Sequence, residues 1–132
     1  MELFSPSTYR RFEHNAYTHR RDLKDLLETL KKDGKKVAGY GASTKGNVIL
    51  QFCNITEKDV FAIAEINEYK YGRYTPGTYI PIRSEEEVRK DSPDYMLVLP
   101  WHFRPGIVSR EQEFLSNGGK LIFPLPEIEI VG

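Results

Sequence analysis

The apolar residues of the chain follow a helical period first and strand-like runs afterwards. Up to about residue 34 they recur at spacings of three and four, which is the pattern of a helix with one apolar face. The residues that carry this stripe are Leu23, Leu26, Leu27 and Leu30. Gly34 follows the stripe and ends the predicted helix, because glycine is the usual residue just past a helix terminus. The chain therefore begins with an amphipathic helical segment over residues 1–34.

Beyond residue 34, short apolar runs alternate with helical patterns. The runs that predict strands are KKVAGYG and residues 60–66, 95–101 and 120–126, with a further short strand at 78–82. A helix is predicted for TKGNVILQFC, with Val48, Ile49 and Phe52 on its buried side. Ser84 and Glu87 form a capping-box pattern that starts a second helix. The segment RPGIVSREQEFLSNGG predicts a third helix between the last two strands.

This alternation predicts an α/β fold, namely a single Rossmann-like domain of three layers over residues 1–132. We expect residues 35–132 to form a β-α-β-α-β-α-β core, with a mostly parallel sheet of four to five strands and helices on both faces. The amphipathic helix over 1–34 precedes this core. A chain of 132 residues is long enough to bury such a core without disulfides or a structural metal.

Composition narrows the class of partner. Acidic and basic residues balance, 19 against 19, which argues against nucleic acid and against an anionic membrane surface. Cys53 is the single cysteine, so we expect a small buried residue and neither a disulfide nor a cysteine-rich metal site. The sequence shows neither a run of about 20 apolar residues nor the apolar core of a leader peptide. A cytoplasmic protein without a bound metal is expected.

The turn GYGASTKGN is the first candidate for binding a ligand. Gly39 and Gly41 allow close backbone approaches, and the start of the following helix offers free N–H groups that suit a phosphate. The remaining candidates in this turn are Ala42, Ser43, Thr44, Lys45, Gly46 and Asn47. The glycine spacing fits neither the dinucleotide fingerprint nor the P-loop. A tight turn that carries a solvated lysine is therefore the alternative.

Two further segments follow the next predicted strands. Glu65 and Asn67 stand near the position at which an acidic residue contacts a ribose in dinucleotide folds. The end of the third strand supplies Trp101, His102 and Phe103. Aromatic faces there suit a base or a sugar, and the imidazole could bind the ligand or transfer a proton. Polar strand ends and a structural histidine are the alternatives.

A structured loop between the second strand and the second helix supplies the last candidates. It is rich in glycine, proline and tyrosine, and it could fold over the same edge of the sheet. Its candidate residues are Arg73, Tyr74, Thr75, Pro76, Gly77 and Thr78. An arginine suits two-pronged phosphate contact, although a solvated side chain explains it equally well.

Taken together, these segments resemble the carboxy-terminal domain of sugar C-methyltransferases that use S-adenosylmethionine (SAM). The matching runs are GYGASTKGN, KYGRYTPGTYIPI, SPDYMLVLPWHF and GGKLIFPLP, in that order, and YRRF and DLLETLKKDGKKV extend the match towards the amino terminus. Members of this family methylate nucleotide-linked ketosugars in deoxysugar biosynthesis. Besides this domain they have a zinc-binding domain and a central domain that binds SAM.

The resemblance implies that this domain binds a nucleotide sugar of the dTDP-ketosugar class, through residues 41–47, 73–78 and 101–103. It implies that the chain by itself binds no cofactor and transfers no methyl group, since SAM would bind on a separate domain or subunit. Two positions depart from the family pattern: Glu65 stands where the family commonly has aspartate, and Glu68 replaces an expected proline.

Two other functions remain open at this point. The first is an NAD(P)- or coenzyme-A-binding Rossmann protein that uses the same turn, against which the irregular glycine spacing argues. The second is a protein-interaction module in which the amphipathic amino-terminal helix docks on a partner.

Overall fold

The amino-terminal helix forms where the leucine spacing predicts it. The computed structural model describes the backbone of residues 6–132 and the side chains from residue 16 onward, so the side chains of YRRF lie outside the described part. Helix α1 (Pro6–Lys32) buries Leu23, Leu27 and Leu30 against the rest of the fold. Gly34, with a φ of 75°, lets Lys35 N donate to Leu30 O and closes the helix end.

Six strands, four α-helices and two 3₁₀ turns follow α1 in the described part of the chain. The strands are β1 (Val37–Tyr40), β2 (Ile63–Glu65), β3 (Ile82–Ser84), β4 (Tyr95–Val98), β5 (Lys120–Phe123) and β6 (Glu129–Val131). The helices are α2 (Thr44–Phe52), α3 (Glu85–Lys90), α4 (Arg104–Arg110) and α5 (Gln112–Ser116). The cap on α3 confirms the capping-box prediction in part, because Ser84 Oγ accepts a hydrogen bond of 3.2 Å from Glu87 N.

The six strands form one sheet in the order β3-β2-β1-β4-β5-β6. The first five strands are parallel, and β6 runs antiparallel to β5. The α/β prediction is confirmed, whereas the expected four to five strands are too few. The order reverses between β1 and β4, and that point of a Rossmann-type sheet is where a crevice opens at the carboxyl ends of the strands.

Both faces of the sheet are buried. Successive strand residues point to opposite faces, so Val37 and Leu97 join one apolar cluster while Ala38 and Met96 join the other. The first cluster is completed by the leucines of α1 and by Ile49 and Leu50 of α2, and the second by residues of α3, α4 and α5. This arrangement is the predicted three-layer architecture.

The buried face of α2 differs from the prediction. Ile49 is buried, but Val48 is 62% exposed and Phe52 is 43% exposed, while Leu50 is fully buried. The prediction for Val48 and Phe52 was wrong because apolar residues occur on several sides of this short helix. The close approach of Gly46 to the sheet selects the face that is buried.

Three boundaries also shift. The short strand expected at 78–82 lies at Ile82–Ser84, because the preceding residues turn back on themselves through a bridge between Tyr74 and Pro81. The helical pattern between the last two strands divides into α4 and α5, which meet at the buried residue Glu111. The fourth predicted strand ends at Phe123 instead of residue 126.

Candidate functional site

The glycine turn joins β1 to α2 at the reversal point of the strand order. Gly41 has a φ of 76°, a conformation that glycine adopts without strain. A Cβ atom on Gly41 would lie 3.2 Å from Pro100 Cδ, at the end of the neighbouring strand β4. The turn therefore passes close to the β4 end, and of its first two glycines Gly41 makes this approach.

Helix α2 begins at this turn with an ordered cap. Ser43 Oγ accepts a hydrogen bond of 3.0 Å from Gly46 N. A Cβ on Gly46 would lie 2.5 Å from Leu99 Cβ, so the absence of a side chain allows the helix start to rest on the end of β4. The first N–H groups of a helix have no partner within it, and they carry a partial positive charge that suits an anion.

Two side chains, one from the end of β2 and one from the turn that follows it, hold the glycine turn in place. Glu65 is 8% exposed, and its carboxylate accepts hydrogen bonds from the backbone N–H groups of Ala42, Ile66 and Asn67 at 2.8–2.9 Å. Lys70 Nζ donates to Ala42 O at 2.9 Å. The role of Lys70 has no signature in the sequence, because the lysine ends a 3₁₀ turn (Glu68–Lys70) that lies 28 residues from its partner.

A cleft of about 410 Å³ opens beside this turn at the carboxyl edge of the sheet. Its walls come from the end of β1 and the glycine turn, from the end of β2 and the residues after it, and from single residues of later segments. They include Gly41, Ala42, Ser43, Glu65, Asn67 and Lys70, together with Tyr40, Glu85, Pro100 and Arg110. The structure thus brings the first two predicted segments together around one open cavity.

The third predicted segment, Trp101–Phe103, forms a 3₁₀ turn that Leu99 and Pro100 separate from the end of β4. Lys45 Nζ lies 5.9 Å from the centre of the Trp101 ring, which brings this turn beside the start of α2. The His102 and Phe103 rings lie 4.2 Å apart, and Phe103 is 62% exposed. Trp101 Nε1 and Asn47 Oδ1 are both buried without a hydrogen-bond partner among the described residues. A donor and an acceptor thus remain unused near the helix start.

The tip of the tyrosine-rich loop lies elsewhere. Thr75 and Thr78 are buried, and their hydroxyl groups hydrogen-bond to each other at 2.5 Å. Gln51 Nε2 donates to Pro76 O at 2.9 Å, which places the Pro76–Gly77 tip at the carboxyl end of α2. At 1.5 Å per residue, this is about 10 Å along the helix from its start.

The residues before the tip are not part of the cleft either. Arg73 O accepts a hydrogen bond from Ile82 N, so this stretch runs beside β3. Arg73 and Tyr74 instead line a separate groove of about 330 Å³. Ligand contacts from residues 73–78 therefore stay a prediction that the geometry of the cleft does not support.

Gly39 also lies apart from the cleft. A Cβ on this residue would lie 2.2 Å from Ile63 Cδ1 in the adjacent strand, so its missing side chain serves packing within the sheet. Thr44 is exposed on the first turn of α2.

An ionic network that the sequence analysis missed lies on the other side of the cleft. Glu111 is 3% exposed, and its carboxylate accepts hydrogen bonds from Tyr40 OH at 3.1 Å and Arg89 Nη2 at 2.6 Å. Arg110 donates to Tyr40 OH and to Glu85. Burial and the nearby Glu111 charge raise the pKa of Tyr40 to about 12. Only the Glu85–Arg89 pair, at a helical spacing of four, could be found from sequence.

The single cysteine, Cys53, is buried, as predicted, and burial raises the pKa of its thiol. Within residues 16–132, no three His, Cys, Asp or Glu side chains are grouped so as to hold a metal ion. In the part of the chain that the structure describes, no helix combines the length and apolarity needed to cross a bilayer.

Comparison with known proteins gives a family match and a related enzyme. Residues 1–126 match the family model described as C-methyltransferase C-terminal domain. The C-methyltransferase NovU of Streptomyces niveus is 39% identical over 123 residues, which cover 93% of this chain. The match spans 29% of the length of NovU.

Proposed function

The chain belongs to the C-methyltransferase C-terminal domain family, and from this premise we propose that it binds a nucleotide-linked sugar of the dTDP-ketosugar class. The diphosphate lies against the glycine turn and the start of α2, in the cleft at the carboxyl edge of the sheet. The biological setting that we propose is deoxysugar biosynthesis. The relationship to a sugar-modifying enzyme class supports the choice of ligand over other nucleotides.

The observation that carries this proposal is the position of the glycine turn. Gly41 and the start of α2 lie where the strand order reverses, and Rossmann-type sheets bind their ligands at that point. Apart from Gly46 N, which donates to Ser43 Oγ, the N–H groups of the first helical turn supply hydrogen bonds to phosphate oxygens. Lys45 adds a positive charge at the same helix start, beside the Trp101 ring. A sugar or base stacks favourably on an aromatic face of this kind.

We propose further that the methyl transfer itself takes place on another domain or subunit, which binds SAM. The chain then holds the acceptor sugar and transfers no methyl group alone. The support is that the match spans only 29% of the length of NovU, a relative that is named a C-methyltransferase. The residues of this domain orient the nucleotide, and the cofactor supplies the methyl group from elsewhere.

Calorimetric titration of the purified protein with dTDP, a dTDP-sugar, SAM and NADH tests the proposal. We expect saturable binding of dTDP and the dTDP-sugar, and none of SAM. Lys45→Ala should weaken dTDP binding by about 1–3 kcal/mol, or about 5- to 150-fold, the range for charge-assisted hydrogen bonds. Lys90→Ala is the matched control, because Lys90 is exposed on α3 and its ion-pair partner among the described residues is the exposed Glu86.

Two results would contradict the proposal. Saturable binding of SAM with none of dTDP would show that this domain holds the methyl donor. Tight binding of NADH, detected by its fluorescence, with no binding of dTDP would favour the dinucleotide alternative that the strand order also permits.

As a second role, we propose that this protein docks on the SAM-binding partner through an exposed apolar surface formed by α1 and α2. Tyr17 on α1 and Phe52 on α2 have ring centres 6.3 Å apart, and they are 52% and 43% exposed. Val48, one turn before Phe52, is 62% exposed. Exposed apolar groups gathered in this way are typical of contact surfaces. Phe52→Ser should abolish co-sedimentation with a SAM-binding methyltransferase that the wild-type protein binds, and retained binding would argue against this surface.

A further inference from the structure

Glu65 occupies the position at which dinucleotide-binding folds use an acidic side chain to contact the ribose. In this protein the carboxylate is turned towards the backbone. Oε1 accepts from Ala42 N at 2.9 Å, while Oε2 accepts from Ile66 N at 2.8 Å and from Asn67 N at 2.9 Å. A carboxylate offers about four lone-pair sites, so three of them are in use.

Lys70 approaches the remaining region of the carboxylate. Its Nζ lies 3.9 Å from Glu65 Oε1, and the Glu65 side chain is only 9% exposed. A ribose hydroxyl group would therefore find at most one acceptor site on a nearly buried carboxylate, with the Lys70 ammonium group beside it. The acidic residue has the right place in the fold for ribose recognition, but most of its acceptor capacity is already used by backbone N–H groups.

The same two side chains fix the peptide groups of Ala42. Glu65 accepts from Ala42 N, and Lys70 Nζ donates to Ala42 O at 2.9 Å. One residue earlier, Gly41 N donates to Ala64 O at 2.8 Å. Both polar backbone groups of Ala42 are thus held from the β2 side, immediately before Ser43 caps α2. A turn held in this way presents its N–H groups to a phosphate without first having to become ordered.

We propose that Glu65 and Lys70 are positioning residues that clamp the glycine turn, and that Glu65 does not recognise the ribose. This inference rests on the proposed nucleotide binding and deepens it. Its consequence for the ligand is that the site does not select for the ribose 2′-hydroxyl. Ribonucleoside and 2′-deoxyribonucleoside diphosphates of the same base should bind with similar affinity.

The test compares dTDP with 5-methyluridine diphosphate, which differs from it only by the 2′-hydroxyl. Wild-type protein should bind the two within about threefold, since a hydrogen bond to a charged acceptor would change affinity by about tenfold or more. Lys70→Met removes the ammonium group and keeps most of the stem. It should weaken both ligands about tenfold, and Lys70→Arg should restore part of the loss.

Two further variants complete the design. Lys90→Met is the control, because this exposed lysine lies on α3 and forms an ion pair with Glu86. Glu65→Gln exchanges a carboxylate oxygen for an NH₂ group that cannot accept from the backbone, and it should weaken both ligands by the same factor. Hydrogen exchange of the Ala42 amide, measured without ligand, should speed up in Lys70→Met and Glu65→Gln but not in Lys90→Met.

The outcomes are separable. A wild-type preference of tenfold or more for the ribonucleotide, lost in Glu65→Gln, would overturn the inference. So would a Lys70→Met protein whose melting temperature falls while both affinities stay unchanged, because the lysine would then be only structural. If the wild-type protein binds neither diphosphate, the proposed function fails and the ribose argument with it, while the exchange of the Ala42 amide still decides whether the clamp exists.

Discussion

The contact between Gly46 and Leu99 offers the sharpest test of the architecture. Replacing Gly46 by alanine places a methyl group 2.5 Å from Leu99 Cβ and 2.9 Å from Ser43 Oγ. Leu99 Cβ is attached directly to the backbone and cannot rotate away, so helix α2 has to move away from the sheet, while Ser43 Oγ can give way only by leaving its cap position. Gly106→Ala is the matched control, because Gly106 also stands third in its helix, α4, and nothing lies within 4 Å of its added methyl group.

The magnitudes separate the two variants. Overpacking costs about 1–3 kcal/mol, and disturbing the Ser43 cap adds about 1 kcal/mol. Alanine regains at most about 1 kcal/mol through its higher helix propensity. We therefore expect Gly46→Ala to lower the free energy of unfolding by about 1–3 kcal/mol. Gly106→Ala changes only the helix propensity, so it should raise the free energy of unfolding by about 0.5–1 kcal/mol.

Urea denaturation followed by far-ultraviolet circular dichroism measures both values, provided that the slope of the transition stays the same. The reasoning would be refuted if Gly46→Ala were as stable as the wild-type protein while Gly106→Ala behaved as expected. That result would mean that the start of α2 can shift freely over β4. Dissociation constants for dTDP, measured on the same samples, would then show whether such a shift disturbs the proposed phosphate site.

Two other predictions concern buried charged groups. The pKa of Tyr40 is raised to about 12, so the stability that its neutral form contributes is complete below pH 10 and is lost between about pH 10 and 12. The loss is about 2–3 kcal/mol, at 1.36 kcal/mol per pKa unit. Alkaline denaturation of Tyr40→Phe should lack this loss, and identical pH profiles for the variant and the wild-type protein would refute the prediction. Lys24 Nζ lies 2.6 Å from Asp59 Oδ2, whose side chain is 5% exposed. Lys24→Met leaves that carboxylate without its cation and should cost about 1–3 kcal/mol in urea denaturation, whereas an unchanged midpoint would show that solvent replaces the lysine.

The sequence patterns predicted those helices and turns that depend on residues close together in the chain. The leucine spacing found α1, the glycine turn marked the junction between β1 and α2, and Ser84 with Glu87 marked the start of α3. Strand β6 was missed, although the run EIEIV that contains it alternates apolar and polar residues. A strand of only three residues after two prolines gives a weak pattern, and its pairing with β5 depends on the finished sheet.

The candidate site was predictable only where the chain topology decides it. Parallel strands bring their carboxyl ends to one edge, so the glycine turn, the end of β2 and the turn after β4 had to be neighbours. The loop over residues 73–78 had no such constraint, and its tip instead lies against Gln51. The orientation of Glu65 depends on the exact path of the backbone around Ala42, which is 23 residues away in sequence. Pattern reasoning has no access to this level of detail.

The buried network around Glu111 also bears on how this domain can change over evolutionary time. Its carboxylate depends on Tyr40 and Arg89, and these residues come from three separate elements or junctions of the fold. Losing Arg89 leaves the buried Glu111 carboxylate without its cation, whereas replacing the whole set by apolar residues of similar volume is often tolerated. Substitution at these three positions should therefore be concerted, so that related sequences retain the hydrogen-bonded trio or exchange it as a unit.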